Sequence, residues 1–376
     1  MIQRNNIEHL YLHVPFCKSI CYYCDFCHVV YNDDLCEAWL KSIKQEIINK
    51  KINPNLKTIY IGGGTPTSLS YNHLKELLEL LKPYTNYLEE YTIEINPETL
   101  DRDKATLLKE YSINRCSIGM QTSNNDLLKS LGRSHTKEDV KNSIELLKEV
   151  GIDNISLDIM YSLPDQSIDD LKETIEYTVA LKPNHISLYS LTIEDDTVFG
   201  KRGINHLDDE IEADMYELIV KELEENHYKQ YEISNFSLEG YESKHNKAYW
   251  LYKDFYGIGC GASGKEGNIR YTHTKSIKEY ITSNELDIIE LSDNDIIFEA
   301  IMMGLRLKEG ISIKEFNNSY NTDINNLFFN TISKHIDNGN IIVDERIRCS
   351  DKGLEILNEI LVDFLEEIDN ELWSHH

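Results

Sequence analysis

Along the first two thirds of the chain, apolar residues follow one repeating order. A short run rich in β-branched and aromatic residues leads into a turn, and then into a segment whose apolar positions fall three and four apart. The runs predict strands at 10–16, 58–62, 91–96, 115–121, 155–161 and 185–191. Between them the 3.6-residue period predicts helices that include 35–48, 73–81, 140–150 and 171–181. The strand runs read as nearly continuous apolar stretches rather than clean alternation, the pattern of a parallel sheet covered by helices. Six β/α units in series predict an α/β fold built on a partial (β/α) barrel of TIM type, with chemistry at the C-terminal ends of the strands.

From about Ser237 to Glu290 the rhythm gives way to aromatic and glycine residues, which reads as a connecting segment. Helical patterns return at 293–307, 313–318 and 325–338, followed by a hairpin-like stretch at 341–348 and a helix at 352–368. That order is the order of a small winged-helix-like α+β unit. The expected division is therefore 1–236 for the barrel, 237–290 for the connection and 291–376 for the C-terminal domain.

Composition narrows what such a chain could do. At 376 residues, with 41% hydrophobic and 27% charged residues, it has ordinary globular usage. Its formal net charge of −27 would repel phosphate backbones, so nucleic acid is not an expected partner, even for the winged-helix-like unit. Anionic membrane surfaces are disfavoured for the same reason. The apolar stretch 296–307 is interrupted by Glu299 and Arg306, and the N-terminus carries no basic-then-apolar leader, so the expected location is the cytoplasm.

Four of the eight cysteines, Cys17, Cys21, Cys24 and Cys27, fall within eleven residues directly after the first predicted strand. A disulfide framework would spread its pairs, so the cluster points to metal or cofactor chemistry. One loop can place the thiolates of Cys17, Cys21 and Cys24 at three corners of an iron–sulfur cube, leaving the fourth iron open to another ligand. The competing reading is a four-thiolate zinc site that includes Cys27. Cys36, Cys116, Cys260 and Cys349 stand alone and read as small apolar fillers.

After the second predicted strand comes Gly62-Gly63-Gly64-Thr65-Pro66, where glycines allow tight turns and close approach to a ligand. Glu94, Gln121, Arg133 and Asp158 lie at or soon after strand ends. Singly each could be a solvated surface residue; together they make a polar lining of carboxylates, amide and guanidinium. Tyr11 and Tyr23 flank the cysteines and could pack against a cluster, a ligand or simply the core.

The CxxxCxxC spacing and the GGGTP turn resemble those of the radical S-adenosylmethionine (SAM) superfamily, in its coproporphyrinogen III oxidase-like branch. Longer matches run from Tyr11-Leu-His-Val-Pro-Phe-Cys17 through Glu94-Ile-Asn-Pro-Glu98, Leu131-Gly-Arg133, Tyr231-Glu-Ile-Ser-Asn-Phe236, His245-Asn-Lys-Ala-Tyr-Trp250 and Gly259-Cys-Gly-Ala-Ser-Gly264 to Gly304-Leu-Arg306. The resemblance implies a [4Fe–4S] cluster on Cys17, Cys21 and Cys24. It also implies SAM held by Gly63, Gly64, Thr65, Glu94, Gln121, Arg133 and Asp158, with Tyr11, Tyr23 and Phe26 beside it. Within the branch, the oxidase carries a further cysteine two residues after the third ligand. Here that position is Phe26, and only 16 residues precede Cys17. Both features resemble the haem-chaperone type, which implies haem as cargo, haem-requiring respiratory proteins as recipients and an electron donor to the cluster, with a homodimer left open. His245, beside Tyr249 and Trp250, is the candidate haem ligand. Two alternatives remain: an oxygen-independent coproporphyrinogen III oxidase or another radical enzyme acting on a tetrapyrrole, and an interaction protein with a vestigial barrel.

Overall fold

The computed structural model describes residues 7–374, with side chains as far as Asp369. All six predicted strands are present, as β1 (His9–Val14), β2 (Thr58–Gly63), β3 (Glu90–Ile95), β4 (Arg115–Gln121), β5 (Asn154–Tyr161) and β6 (His185–Ser190). They pair in parallel in sequence order. Helices return the chain between them, among them Asp33–Lys50, Tyr71–Leu81, Lys137–Glu149 and Ile168–Leu181. Reciprocal caps start two of these: Thr136 with Asp139, and Ser167 with Asp170, each satisfying amide donors that a first turn leaves free.

Three further strands widen the sheet. β7 (Lys229–Glu232) and β8 (Asn235–Ser237) form an antiparallel hairpin on β6, while β9 (Tyr256–Ile258) runs parallel to β1 on the other side. The strand order is β9-β1-β2-β3-β4-β5-β6-β8-β7. The 237–290 stretch is thus more than a connection, since β9 belongs to the main sheet. A separate three-stranded sheet follows from Ser263–Glu266, Ile269–His273 and Leu286–Glu290. Glu46, buried in the first helix, ties this segment down by accepting from the Tyr280 hydroxyl at 2.6 Å and facing His273 Nε2 at 2.8 Å.

The strand pattern corrects the sequence reading of continuous apolar runs. Leu10, Leu12 and Val14 of β1, Ile59 and Ile61 of β2, Tyr91, Ile93 and Ile95 of β3, and Cys116, Ile118 and Met120 of β4 all belong to the core beneath the helices. The alternate positions are polar: His9, Tyr11 and His13, Thr58 and Tyr60, Glu90, Thr92 and Glu94, Arg115 and Ser117. A strand's side chains alternate faces, so one face of this sheet is oily and the other is a polar concave interior. Each fully buried Leu or Ile on the helix face is worth roughly 1.5–3 kcal/mol, enough for that face to set the register.

The C-terminal part has its own core, built on Ile301, Phe316, Phe328, Ile347, Leu357 and Phe364. Its order is helix Asp293–Gly304, helix Ile313–Tyr320, helices Ile324–Leu327 and Phe329–Asp337, hairpin Ile341–Val343 with Arg346–Cys349, then helices Asp351–Glu355 and Leu357–Ser374. The predicted final helix is broken at Ile356. No helix among the described residues is long and apolar enough to cross a membrane.

Candidate functional site

The cysteine loop leaves the C-terminal end of β1 and is closed by a two-residue parallel ladder, Phe16–Cys17 against Val29–Val30. Three contacts hold the loop over the sheet. Tyr22 N–H donates to Leu131 O at 3.0 Å, Phe199 N–H donates to Tyr22 O at 2.9 Å, and the Tyr23 hydroxyl accepts from Arg133. Cys17 is buried, while Cys21 and Cys24 are half-buried. Burial pushes the Cys17 thiol up to about 11 and the Cys24 thiol up to about 12.

Cys27 goes elsewhere. Its thiol donates to Lys275 O at 3.1 Å and lies 3.2 Å from Cys260 Sγ. The zinc reading, which needed Cys27 beside the other three thiols, loses its fourth ligand. Among the described residues no group of three or more Cys, His, Asp or Glu side chains is gathered around a single-ion position.

The glycine turn lies against the cysteine strand. Gly64 N–H donates to Val14 O at 2.8 Å, Thr65 N–H to Phe16 O at 2.7 Å, and the Thr65 hydroxyl reaches Cys17 Sγ at 3.7 Å. A Cβ on Gly64 would come within 2.8 Å of Phe16 O and 2.9 Å of Cys17 Sγ. Gly63 has φ +110°, a conformation that side-chain-bearing residues rarely adopt. The backbone there is bare because it must approach both the thiol and whatever sits beside it.

Between the loop and the strand ends lies a cavity of about 370 Å³. Its floor carries two acids from the polar strand face. Glu94 accepts from the Tyr60 hydroxyl at 2.8 Å and from Gly63 N–H at 3.0 Å. Burial, and then the nearby Asp158, raise the Glu94 carboxyl to about 7. Asp158 accepts from the Ser117 hydroxyl at 2.9 and 3.1 Å, and burial raises its pKa as well. Arg133 faces the cavity with Nη1 donating to Asn96 Oδ1 at 2.8 Å. Gln121 ends β4 with φ +65°, just after a register shift in the β4–β5 pairing, and so reaches the cavity from a backbone held off the regular strand.

Of the residues singled out from sequence, Cys17, Cys21, Cys24, Tyr23, Phe26, Gly63, Gly64, Thr65, Glu94, Gln121, Arg133 and Asp158 all line this cavity. Tyr11 does not. Its hydroxyl bonds to His13 Nδ1 at 2.9 Å and its ring packs on Tyr60, with centroids 6.1 Å apart, so it supports the wall from outside. Sequence reasoning missed Tyr60, Asn96, Ser117, Met160 and Tyr189. For Tyr60 and Ser117, a period of two counted back from the glycine turn and from Gln121 would have found them.

His245 does not line this cavity; it lies behind the wall, its ring stacked on that of Tyr60 with centroids 5.3 Å apart. Thr58 and Glu90, the first residues of β2 and β3, hold it at the N-terminal end of the sheet, opposite the cysteine loop. The Glu90 carboxylate accepts from the Ser243 hydroxyl and from the Lys244 and His245 amides, capping the helix Lys244–Trp250. His245 Nδ1 bonds to Thr58 Oγ1 at 2.7 Å and Nε2 to the Tyr249 hydroxyl at 2.8 Å. The ring is 1% exposed, and burial holds its pKa well below the ordinary histidine value. An iron could reach it only by displacing Thr58 or Tyr249. The position expected for a haem ligand is occupied by a plug at the bottom of the sheet.

Three thiols on one loop, a bare backbone edge and two acids with one guanidinium suit an iron–sulfur cube beside a zwitterionic ligand. A parallel sheet with such a loop after its first strand defines a radical SAM protein. The family model described as "Radical SAM superfamily" matches residues 11–178, and that described as "HemN C-terminal domain" matches 291–356. The chain is 40% identical to the heme chaperone HemW of Lactococcus lactis, covering 97% of this chain and 98% of the relative. It is 39% identical to that of Bacillus subtilis, over 95% and 99%. In fold it resembles coproporphyrinogen III oxidase (HemN) from Escherichia coli, with a TM-score of 0.84 at 20% identity, over 96% of this chain and 91% of that one. The chain belongs to the HemW-type heme chaperone family of the radical SAM superfamily.

Proposed function

We propose that this protein binds haem in the cytoplasm and passes it to haem-requiring respiratory proteins, with a [4Fe–4S] cluster on Cys17, Cys21 and Cys24 and SAM in the cavity below them. Bound there, cluster and SAM together supply one-electron cleavage of a sulfonium, fed by an external electron donor. The chain's own residues do the holding. Gly63 and Gly64 admit the ligand backbone-close, Glu94 and Asp158 offer acceptors to an ammonium and to ribose hydroxyls, and Arg133 presents charge to a carboxylate.

The observation that carries the chaperone reading over the oxidase reading is position 26. Phe26 is 63% exposed at the cavity mouth, and the next residue, Cys27, turns its thiol away into the core beside Cys260. No fourth thiol therefore joins the three at the cavity. The whole-length relatives named as heme chaperones support haem as the cargo. The test is anaerobic incubation of cluster-loaded protein with SAM, a reductant and coproporphyrinogen III, followed by chromatography. No decarboxylated product is expected; multiple-turnover product would overturn the reading in favour of the oxidase.

A further inference from the structure

Cys27 and Cys260 stand 233 residues apart in sequence, yet their sulfurs are 3.2 Å apart, closer than two sulfurs in ordinary van der Waals contact. A disulfide would need that gap to shrink by about 1.2 Å, within reach of small side-chain rotations. We propose that this pair is a disulfide-forming modification site that fastens the cysteine loop to the segment following β9. The proposal goes beyond haem binding and does not depend on it.

The surroundings are arranged to bring the two together. Cys27 donates to Lys275 O at 3.1 Å and Cys260 to Thr274 O at 3.2 Å, so consecutive carbonyls orient both thiols. His13 Nε2 bonds to Cys27 O at 2.8 Å, holding the backbone on the loop side. Cys260 sits between two glycines with positive φ, Gly259 at +101° and Gly261 at +78°. A Cβ on Gly259 would come within 2.5 Å of His13 O, and one on Gly261 within 2.5 Å of Cys27 Cβ. The Gly-Cys-Gly turn is therefore the shape that lets Cys260 approach the loop. Cys36, Cys116 and Cys349 are buried with no comparable partner sulfur.

Both thiols are buried, but Cys27 keeps 7% exposure and follows the exposed residues Asp25 and Phe26, whereas Cys260 has none, so an oxidant reaches Cys27 first. The oxidant is a low-molecular-weight disulfide. The Cys27 thiolate attacks one of its sulfurs, forming a mixed disulfide as the old S–S bond breaks and one small thiol leaves with a proton. Cys260, losing its own proton, then attacks the Cys27 sulfur and expels the second small thiol. Two protein thiols are oxidised and one small disulfide is reduced to two thiols.

The effect is to close a covalent loop around almost the whole barrel, pinning one end of the segment that presents Cys17, Cys21 and Cys24. Cluster-loaded full-length protein would be equilibrated without oxygen in oxidised and reduced glutathione at rising ratios. It would then be alkylated, digested and mapped by mass spectrometry. The expected result is a cross-linked peptide pair containing Cys27 and Cys260, absent from Cys260→Ser, with the cluster's visible absorbance retained. Loss of the cluster to an iron chelator is expected to be several-fold slower in the linked protein. Both thiols still alkylated in the most oxidising buffer, or Cys27 found linked to Cys17, Cys21 or Cys24, would overturn the proposal.

Discussion

Arg133 donates twice to the hydroxyl of Tyr23, from Nε at 3.2 Å and from Nη2 at 2.7 Å, across 110 residues of sequence. Tyr23 lies between the second and third cavity thiols, so the residue proposed to meet a carboxylate also positions the cysteine loop. Arg133→Ala is expected to weaken SAM binding by about 1.5–3 kcal/mol, roughly ten- to a hundredfold, as the loss of a charge-assisted contact. Tyr23→Phe keeps the charge but frees the loop, and should speed cluster loss while changing SAM affinity less. Calorimetry and iron release separate the two effects; unchanged affinity in Arg133→Ala would put the guanidinium outside the binding site.

Cys17, Cys21 and Cys24 are expected to be individually required for iron, whereas Cys27 is not. Anaerobic reconstitution of each alanine variant, followed by iron and sulfide determination, tests this. Cys27→Ala should keep its cluster, because its thiol faces Cys260 and Lys275 O. Loss of the cluster in Cys27→Ala as complete as in Cys24→Ala would restore a four-thiol site.

Gly64→Ala should damage the site without touching its chemistry. The added methyl would press on Phe16 O, Val14 O and Cys17 Sγ, two of them backbone atoms that cannot rotate away. Overpacking of this kind costs about 1–3 kcal/mol. Lower thermal stability together with reduced iron content is expected. A variant that reconstitutes like the parent would mean that the glycine is tolerant and the turn less constrained than its contacts indicate.

Glu94 gives the cluster-free protein a pH dependence of definite sign. Its carboxyl is raised from 4.5 to about 7, by burial first and Asp158 second. Between those values the folded chain keeps a proton that the unfolded chain has released, so this group's contribution to stability falls as pH rises through that window. The contribution is on the order of 1–3 kcal/mol, since water in the cavity screens part of the shift. Relative to the parent, Glu94→Gln should therefore gain stability between pH 5 and pH 8. A melting-temperature difference that stays flat across that range would contradict the assignment.

The sequence was most informative where one requirement dominated. The six parallel strands announced themselves because each carries an oily face against helices, and the cysteine and glycine motifs because their backbone geometry admits few other residues. The polar half of the alternation was read past, and with it Tyr60 and Ser117, because leucine- and isoleucine-rich runs mask a period of two when the other face holds Tyr, Thr and Ser. β9 was missed because it is three residues long and embedded among glycines, its existence depending on pairing with β1 rather than on local propensity. His245 misled because a histidine among aromatics reads as a ligand until its partners are seen. Thr58 and Tyr249, 187 residues before and four residues after it, occupy both ring nitrogens.

Haem as cargo is what separates the proposed function from that of the oxidase. Haem titrated into the anaerobically reconstituted full-length protein, followed by the Soret band, reads this out. A protein-specific band that saturates at a stoichiometric end point and survives gel filtration is expected. Non-saturating uptake with the spectrum of free haem, stripped away on the column, would contradict it.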